Sequence, residues 1–118
     1  MEGDTEKAAD LLAKKIAQMR IFSDDAGKMN LSLEQVGGEA LVVSNFTLGG
    51  DWRSGRRPSF IRSARPEQAV PLYEYFLRQL GQYQIKSIQT GEFGADMKLH
   101  LINDGPVTMM MDSRVEGV

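Results

Sequence analysis

The sequence contains no cysteine and only one histidine among its 118 residues. The absence of cysteine excludes disulfide bonds, thiolate catalysis and cysteine-ligated zinc. The single histidine, His100, lies in the alternating stretch 97–101, where a polar residue most often occupies the outer face of a strand. A metal site or a Ser-His-Asp triad built around this one imidazole is therefore not expected. Catalysis by such a chain has to depend on backbone groups, hydroxyls or the substrate itself.

Long apolar runs are also missing from the sequence. No stretch approaches the roughly 20 residues that span a bilayer, and the acidic residues 1–5 do not resemble a signal peptide. We therefore expect a cytoplasmic protein with no membrane partner. With 42% hydrophobic and 25% charged residues, the composition is that of one globular domain covering residues 1–118.

Basic charge is not in excess, because the formal net charge is −2. The chain as a whole therefore has no general attraction for nucleic acid. Its arginines are nevertheless clustered, and between Trp52 and Pro66 no acidic residue separates Arg53, Arg56, Arg57, Arg62 and Arg65. Such a cluster can bind a phosphate backbone. Alternatively, it is a solvated loop whose arginines pair with acids elsewhere, and the cluster alone does not decide between these readings.

Two amphipathic helices are predicted. The first covers residues 4–20, with Asp4 or Thr5 as its N-cap. Its expected buried positions recur at helical spacing: Ala8, Leu12, Ile16 and Met19. The second begins at Pro66, runs to about Leu80 and ends at Gly81. Its apolar positions are Ala69, Leu72, Tyr73, Phe76, Leu77 and Leu80.

Strands are predicted from alternating or apolar stretches bounded by turn residues. They cover residues 21–22, 28–33, 39–44, 86–90, 96–102 and 107–112. The first two form a hairpin, and the apolar run in the third predicts a central strand of a sheet. The strong turn signal at 103–106 separates the last two. The predicted fold class is a mixed α/β domain with mainly antiparallel connections.

Three groups of residues, taken in order, resemble the D-aminoacyl-tRNA deacylase family. They are 19–22 with 27–32, 42–48 with 55–60, and 93–97 with 103–108. One group alone is a weak signal, but all three in register are specific, and the resemblance covers essentially the whole chain. It implies the family's fold, a mainly antiparallel sheet packed with two helices. Relative to the family, roughly thirty N-terminal residues, enough for two or three strands, are expected to be missing.

The resemblance implies a homodimer whose pocket combines motifs from both subunits. The family's pocket motif falls on Ser44, Asn45, Phe46 and Thr47, with Asn45 in place of the usual glutamine. The family's cis Gly-Pro pair falls on Gly105 and Pro106 and enters the partner's pocket. Because the asparagine is one methylene shorter, its amide lies about 1.5 Å further back. A hydrogen bond lost in this way costs on the order of 1 kcal/mol.

The implied reaction is hydrolysis of the ester that links a D-amino acid to tRNA, a chiral proofreading step in translation. Glycyl-tRNA mischarged on tRNA(Ala) is an expected second substrate, and no cofactor or metal is required. The carbonyls of the Gly-Pro pair would accept hydrogen bonds from the substrate ammonium, while an L side chain would collide with this backbone. Backbone N–H groups around Phe46 and Thr47 would hold the carbonyl oxygen, and the neighbouring 2′-hydroxyl of the tRNA would assist.

The partner that the resemblance implies is D-aminoacyl-tRNA, with no DNA partner expected. On this reading Arg53, Arg56 and Arg57 contact the acceptor stem. A nucleophilic role for Thr47 is disfavoured because no base stands nearby in sequence.

Other readings of the same residues remain open. One is the animal-type relative, which has a trans Gly-Pro bond and removes L-alanine from the wrong tRNA; Ser44 argues against it. Another is an inactive dimeric or tRNA-binding remnant of the family. At the level of single residues, Ser44 and Thr47 could merely satisfy backbone groups at a strand end. Gly105-Pro106 could be a simple hairpin turn, and Phe46 and Phe93 could be core residues.

Overall fold

The computed structural model describes residues 1–115, which form helices and two small sheets. The helices are α1 (Glu6–Gln18), α2 (Leu33–Val36), α3 (Pro66–Leu80) and a 3-10 helix (Phe46–Gly49). The strands are β1 (Phe22–Ser23), β2 (Met29–Leu31), β3 (Ala40–Val42) and β4 (Ile88–Thr90). The mixed α/β class predicted from the sequence is confirmed. None of the helices in this part of the chain has the length and apolar character that crossing a membrane requires.

Helix α1 confirms the first predicted helix and decides which residue caps it. The Thr5 hydroxyl accepts a hydrogen bond from the Ala8 N–H at 3.2 Å, as an N-cap does. The face most deeply buried consists of small residues one position along from the expected stripe: Ala9, Ala13 and Ala17. The larger residues of that stripe are half-buried beside this line. Helix α1 packs mainly against α3, and small buried side chains allow two helices to approach closely.

Helix α3 begins and ends where the sequence predicts. Pro66 occupies the first turn, and the N–H of Gly81 donates to the carbonyl of Leu77 at 3.0 Å. Leu80 is fully buried at the end of the helix. Near the middle, the Tyr75 hydroxyl donates to Asp10 Oδ1 of α1 at 2.8 Å. Helix α3 is therefore joined to α1 by an apolar contact and by a hydrogen bond.

Strands β1 and β2 form the expected antiparallel hairpin; β1 lies one residue later than predicted, and β2 is shorter than predicted. Helix α2 was not predicted; it begins where the second strand was expected to end. Ser32 Oγ accepts from the Gln35 N–H at 3.3 Å, and Gln35 Oε1 accepts from the Ser32 N–H at 2.8 Å. This is a capping box, and its Ser-x-x-Gln spacing is readable in the sequence.

Strands β3 and β4 run parallel, which corrects the expectation of mainly antiparallel connections. Their register pairs Ala40 with Ile88 and Val42 with Thr90. A parallel pair needs a long crossover between its strands, and α3 lies within this one. Strand β3 is also one of only two strands in its sheet within the described residues, so its predicted central position is wrong.

The end of β3 is fixed by two hydrogen bonds to one carbonyl oxygen. The Val42 carbonyl accepts from the Tyr73 hydroxyl of α3 at 3.1 Å and from the Gly91 N–H at 3.2 Å. Burial raises the pKa of the Tyr73 hydroxyl, so it remains a donor throughout the neutral range. Helix α3 and the residue that follows β4 together thus determine where the chain leaves the sheet.

Residues 96–112 contain no strand, which contradicts the prediction of two strands there. Every residue from 98 to 110 is exposed, including Ile102 at 92% and Met110 at 90%. Alternation of apolar residues favours a strand only where a neighbouring strand and a core face receive it. Neither is present beside this segment, and His100 consequently lies on an exposed extended chain.

The two ends of the described chain meet at Asp4. Arg114 Nη2 donates to Asp4 Oδ1 at 2.6 Å, and the N-terminal ammonium donates to Asp4 Oδ2 at the same distance. Burial by itself opposes ionisation of this carboxyl. The hydrogen bonds from the ammonium and from Arg114 outweigh it, so the pKa of Asp4 is lowered from its ordinary value of 3.8.

Because the pKa of Asp4 is lowered by folding, its contribution to stability is present above the ordinary value of 3.8. The contribution is lost as the pH falls through the lower value of the folded state. We expect Asp4→Asn to cost about 0.2–1 kcal/mol at neutral pH, the range for partly exposed ion pairs. The difference from the wild type should shrink in acid, as measured by urea unfolding at several pH values. Asp25→Asn, an exposed acid without an ion pair in residues 1–115, is the matched control. A difference that grows in acid would contradict the assignment.

Candidate active site

The predicted pocket motif follows directly on β3. Ser44 is half-buried, Asn45 is extended with φ −151° and ψ 105°, and the 3-10 helix begins at Phe46. The Gly50 N–H returns to the Thr47 carbonyl at 3.0 Å and closes this short turn. The four residues therefore lie at a strand-to-helix junction whose position is set by β3.

Asn45 caps this junction with its side chain. Its Oδ1 accepts from the Thr47 N–H at 3.0 Å and from the Thr47 hydroxyl at 2.5 Å. The N–H and the hydroxyl of Thr47 are therefore both used in hydrogen bonds within the motif. The Phe46 N–H, by contrast, donates to no acceptor among the described residues. Of the two backbone N–H groups that the sequence assigned to the carbonyl oxygen, the one at Phe46 is available in this geometry.

The segment 59–63 packs against the pocket motif. The rings of Phe46 and Phe60 meet edge to face with centroids 5.2 Å apart. Ser63 Oγ donates to the Phe46 carbonyl at 2.8 Å. Gly50 permits this approach, because a Cβ there would lie 2.9 Å from the Phe60 ring. Phe46 is 63% exposed, so it is not the core residue that the alternative reading allowed.

A closed loop extends from this packing. Asp51 and Ser59 exchange two backbone hydrogen bonds, each of 2.8 Å, and residues 52–58 between them are all exposed. Gly55 turns the loop with a φ of +68°, a conformation that favours glycine. The loop carries three of the clustered arginines: Arg53, Arg56 and Arg57.

The structure divides the arginine cluster into paired and unpaired members. Arg53 donates two hydrogen bonds to Asp51, from Nε to Oδ1 at 2.8 Å and from Nη2 to Oδ2 at 2.6 Å. These bonds hold the pKa of Asp51 well below its usual range and raise the pKa of Arg53. Arg65 lies 3.9 Å from Glu67. The cluster's other arginines have no ion pair within residues 1–115: Arg56, Arg57 and Arg62. The sequence prediction missed the pairing of Arg53 because Asp51 stands just before the counted stretch.

The peptide bond between Gly105 and Pro106 is trans, which corrects the expected cis bond; residues 1–115 contain no cis bond. The intrinsic preference of an X-Pro bond for trans is about 0.5–1 kcal/mol. The surrounding segment is exposed throughout, so packing within the chain does not offset that preference. Gly105 has a φ of +135°, and Asn103 Nδ2 donates to Thr108 Oγ1 at 3.4 Å across the turn. No hydrogen bond joins this turn to Ser44–Thr47 within the described chain.

Tyr73 is a supporting residue that sequence reasoning assigned only to the apolar face of α3. Its hydroxyl holds the last residue of β3, two positions before Ser44. The ring of Phe93 lies 5.6 Å from the Tyr73 ring, and Phe93 is 37% exposed. A tyrosine in a stripe that otherwise has no polar side chain is the signal that could have identified it, because a hydroxyl on a packed helix face needs a partner.

Metal ligands are not assembled in this part of the molecule. Within residues 1–115, no three side chains of His, Cys, Asp or Glu are grouped so that they could hold an ion. The groups that the site presents are the Phe46 N–H, the hydroxyl of Ser44 and the side-chain nitrogen of Asn45.

Comparisons with known proteins agree on one family. Residues 1–112 match the family model described as D-Tyr-tRNA(Tyr) deacylase. The chain is similar to the D-aminoacyl-tRNA deacylase of Akkermansia muciniphila, with 59% identity covering 96% of this chain and 75% of that protein. A similar match is the D-aminoacyl-tRNA deacylase of Ruegeria pomeroyi, with 56% identity covering 95% of this chain and 77% of that one.

A solved structure with the same arrangement is the c-Myc DNA Unwinding Element Binding Protein. It matches with a TM-score of 0.86 and 39% identity, covering 94% of this chain and 75% of that chain. The likeness therefore extends over most of this chain.

Proposed function

The chain belongs to the D-Tyr-tRNA(Tyr) deacylase family, and from this premise we propose that it hydrolyses D-aminoacyl-tRNA to free D-amino acid and tRNA. The observation that carries the proposal is the family match over residues 1–112, which includes both Ser44–Thr47 and Gly105-Pro106. The junction after β3 supports it, because a backbone donor there is free to bind an oxyanion. Because the proposed substrate is tRNA used in translation, we propose that the enzyme acts in the cytoplasm.

The proposed chemical step uses the Phe46 N–H. A water oxygen attacks the ester carbonyl carbon, and the carbonyl oxygen gains negative charge, which the Phe46 N–H stabilises by a hydrogen bond. The tetrahedral intermediate then releases the ribose oxygen of the tRNA, which takes up a proton. Asn45 contributes by holding Thr47 and so fixing the turn that presents the Phe46 N–H. The neighbouring ribose hydroxyl assists the proton transfers.

Selection for the D-form is proposed to come from the turn at Gly105 and Pro106 of a second copy. The turn is exposed and has no side chain at Gly105, so its backbone can approach the α-carbon of the substrate closely. An L side chain would collide with this backbone, whereas a D side chain points away. Achiral glycine would also fit, which makes glycyl-tRNA a second substrate. The enzyme is accordingly proposed to act as a homodimer.

A deacylation assay tests the proposed function. The purified protein is incubated with D-tyrosyl-tRNA and, separately, with L-tyrosyl-tRNA, and the remaining ester is measured over time. We expect the D-ester to be lost at least about 100-fold faster, which corresponds to roughly 2.7 kcal/mol between the two transition states. Equal rates for both esters would contradict selection by the turn. Binding of tRNA without hydrolysis of either ester would overturn the catalytic proposal and favour a tRNA-binding role.

A further inference from the structure

Trp52 is the only tryptophan in the sequence and is 80% exposed. It stands between Asp51 and Arg53, the two residues joined by the paired hydrogen bonds described above. The N–H of Arg53 also donates to Asp51 Oδ1 at 3.1 Å. The backbone on both sides of Trp52 is therefore fixed, while the indole ring itself is left in solvent. Because this backbone is already fixed, less conformational entropy is lost when the ring binds a ligand.

The surroundings of Trp52 are basic. From 52 to 58 the loop contains arginines and no acid, and Arg56 and Arg57 have no ion pair within residues 1–115. A flat apolar ring on the same short loop as these guanidinium groups suits a ligand with a flat face and negative charges. An unpaired nucleotide has both, since its base can stack on the ring and its phosphates can bind the arginines.

The loop is also coupled to the candidate active site. Its base packs onto the pocket motif through the edge-to-face contact of Phe60 with Phe46. The hydrogen bond from Ser63 to the Phe46 carbonyl holds the same two segments together. A strand of RNA held on the loop would therefore lie next to the residue whose N–H is proposed to stabilise the oxyanion.

We propose that the loop 51–59 binds the unpaired 3′ end of the substrate tRNA, with Trp52 stacking on a base and Arg56 and Arg57 contacting phosphates. The inference rests on the proposed function, because it identifies which part of that substrate this loop binds. The Asp51–Arg53 pair fixes the backbone on both sides of Trp52 and does not itself bind phosphate.

Fluorescence of the single tryptophan gives a direct test. The probe is an RNA hairpin that carries no amino acid and ends in an unpaired 3′ CCA. The control is the same hairpin with a blunt end. Stacking is expected to quench Trp52 emission in a saturable way with the CCA hairpin and to leave it nearly unchanged with the blunt one.

Variants of the same 118-residue chain then separate stacking from general attraction. Trp52→Ala is expected to weaken binding of a dye-labelled CCA hairpin on the order of 10-fold, the effect typical of one stacked base. Trp52→Phe should lose less, because a smaller ring remains. Ile61→Ala, an equally exposed apolar residue outside the closed loop, is the matched control and should bind like the wild type. Arg56→Gln is expected to lower the slope of log affinity against log salt by about 0.7.

Several outcomes would overturn the inference. They are unchanged emission at saturating RNA, equal quenching by both hairpins, or equal affinity of Trp52→Ala and wild type. Quenching by vesicles of phosphatidylserine and phosphatidylcholine, but not by RNA, would assign Trp52 to a membrane surface instead. Hydrolysis of D-tyrosyl-tRNA is scored separately. If wild type hydrolyses that ester while Trp52 does not respond, only the stacking inference fails; if it does not hydrolyse the ester, the proposed function fails whatever Trp52 does.

Discussion

Replacing Phe46 with proline is expected to lower kcat for D-tyrosyl-tRNA hydrolysis by about 100- to 1,000-fold relative to Phe46→Ala, the usual cost of one oxyanion donor. Proline lacks the backbone N–H that is proposed to bind the developing oxyanion. Alanine keeps this N–H and loses only the ring that packs on Phe60. The ratio between the two variants therefore isolates the donor from the loss of the side chain.

The local geometry is close to what proline at this position requires. Asn45 has φ −151° and ψ 105°, which is extended and about 15° in ψ from the range favoured before a proline. Phe46 is the first residue of the 3-10 helix, where an N–H has no partner inside the helix. Far-UV circular dichroism and thermal unfolding should thus be alike for both variants. Equal kcat values for Phe46→Pro and Phe46→Ala, with both folded, would show that another group stabilises the oxyanion.

Leu80→Ala is expected to reduce the free energy of unfolding by about 2–5 kcal/mol, the range for a leucine truncated in a packed core. Leu80 is fully buried and is the largest side chain in the described residues that is completely removed from solvent. The loss is a large share of a typical domain stability of about 5–15 kcal/mol.

Urea unfolding of the variant beside Leu101→Ala measures this effect. Leu101 is 71% exposed, so its truncation removes little buried area and should change stability by less than about 0.5 kcal/mol. If the two variants lost equal stability, Leu101 would be buried in solution, for example against a second copy. In that case the exposure of residues 98–110 would not describe the assembled protein.

The two long helices, α1 and α3, were predictable because their signals are local. Thr5, Pro66 and Gly81 each act on the turn beside them, and helix α3 has the bounds that these residues indicate. The buried line of α1 was less predictable, because hydrophobic periodicity selects large residues whereas close helix contact selects alanines such as Ala13. Strands depend on a neighbour elsewhere in the chain. The alternating residues 96–112 have no such neighbour, so they do not form strands.

The candidate site was predictable only as far as it is contiguous. Ser44–Thr47 is one segment, and its place after a strand followed from sequence order. The hydrogen bonds from Thr47 to Asn45 and the pairing of Arg53 with Asp51 depend on side-chain geometry. These contacts decide which N–H and which arginines are free, so they refine the sequence prediction more than they overturn it.

The two hydrogen bonds that Val42 accepts have a consequence for synthesis of the protein. One donor is on α3 and the other is Gly91, so both are made well after the pocket motif itself. On the ribosome, Ser44–Thr47 emerges long before the contacts that fix its geometry exist. The site is therefore expected to become competent only when the crossover has folded onto β3, late in elongation. A peptide that contains only the motif would lack the contacts to Val42 that fix the backbone before Ser44.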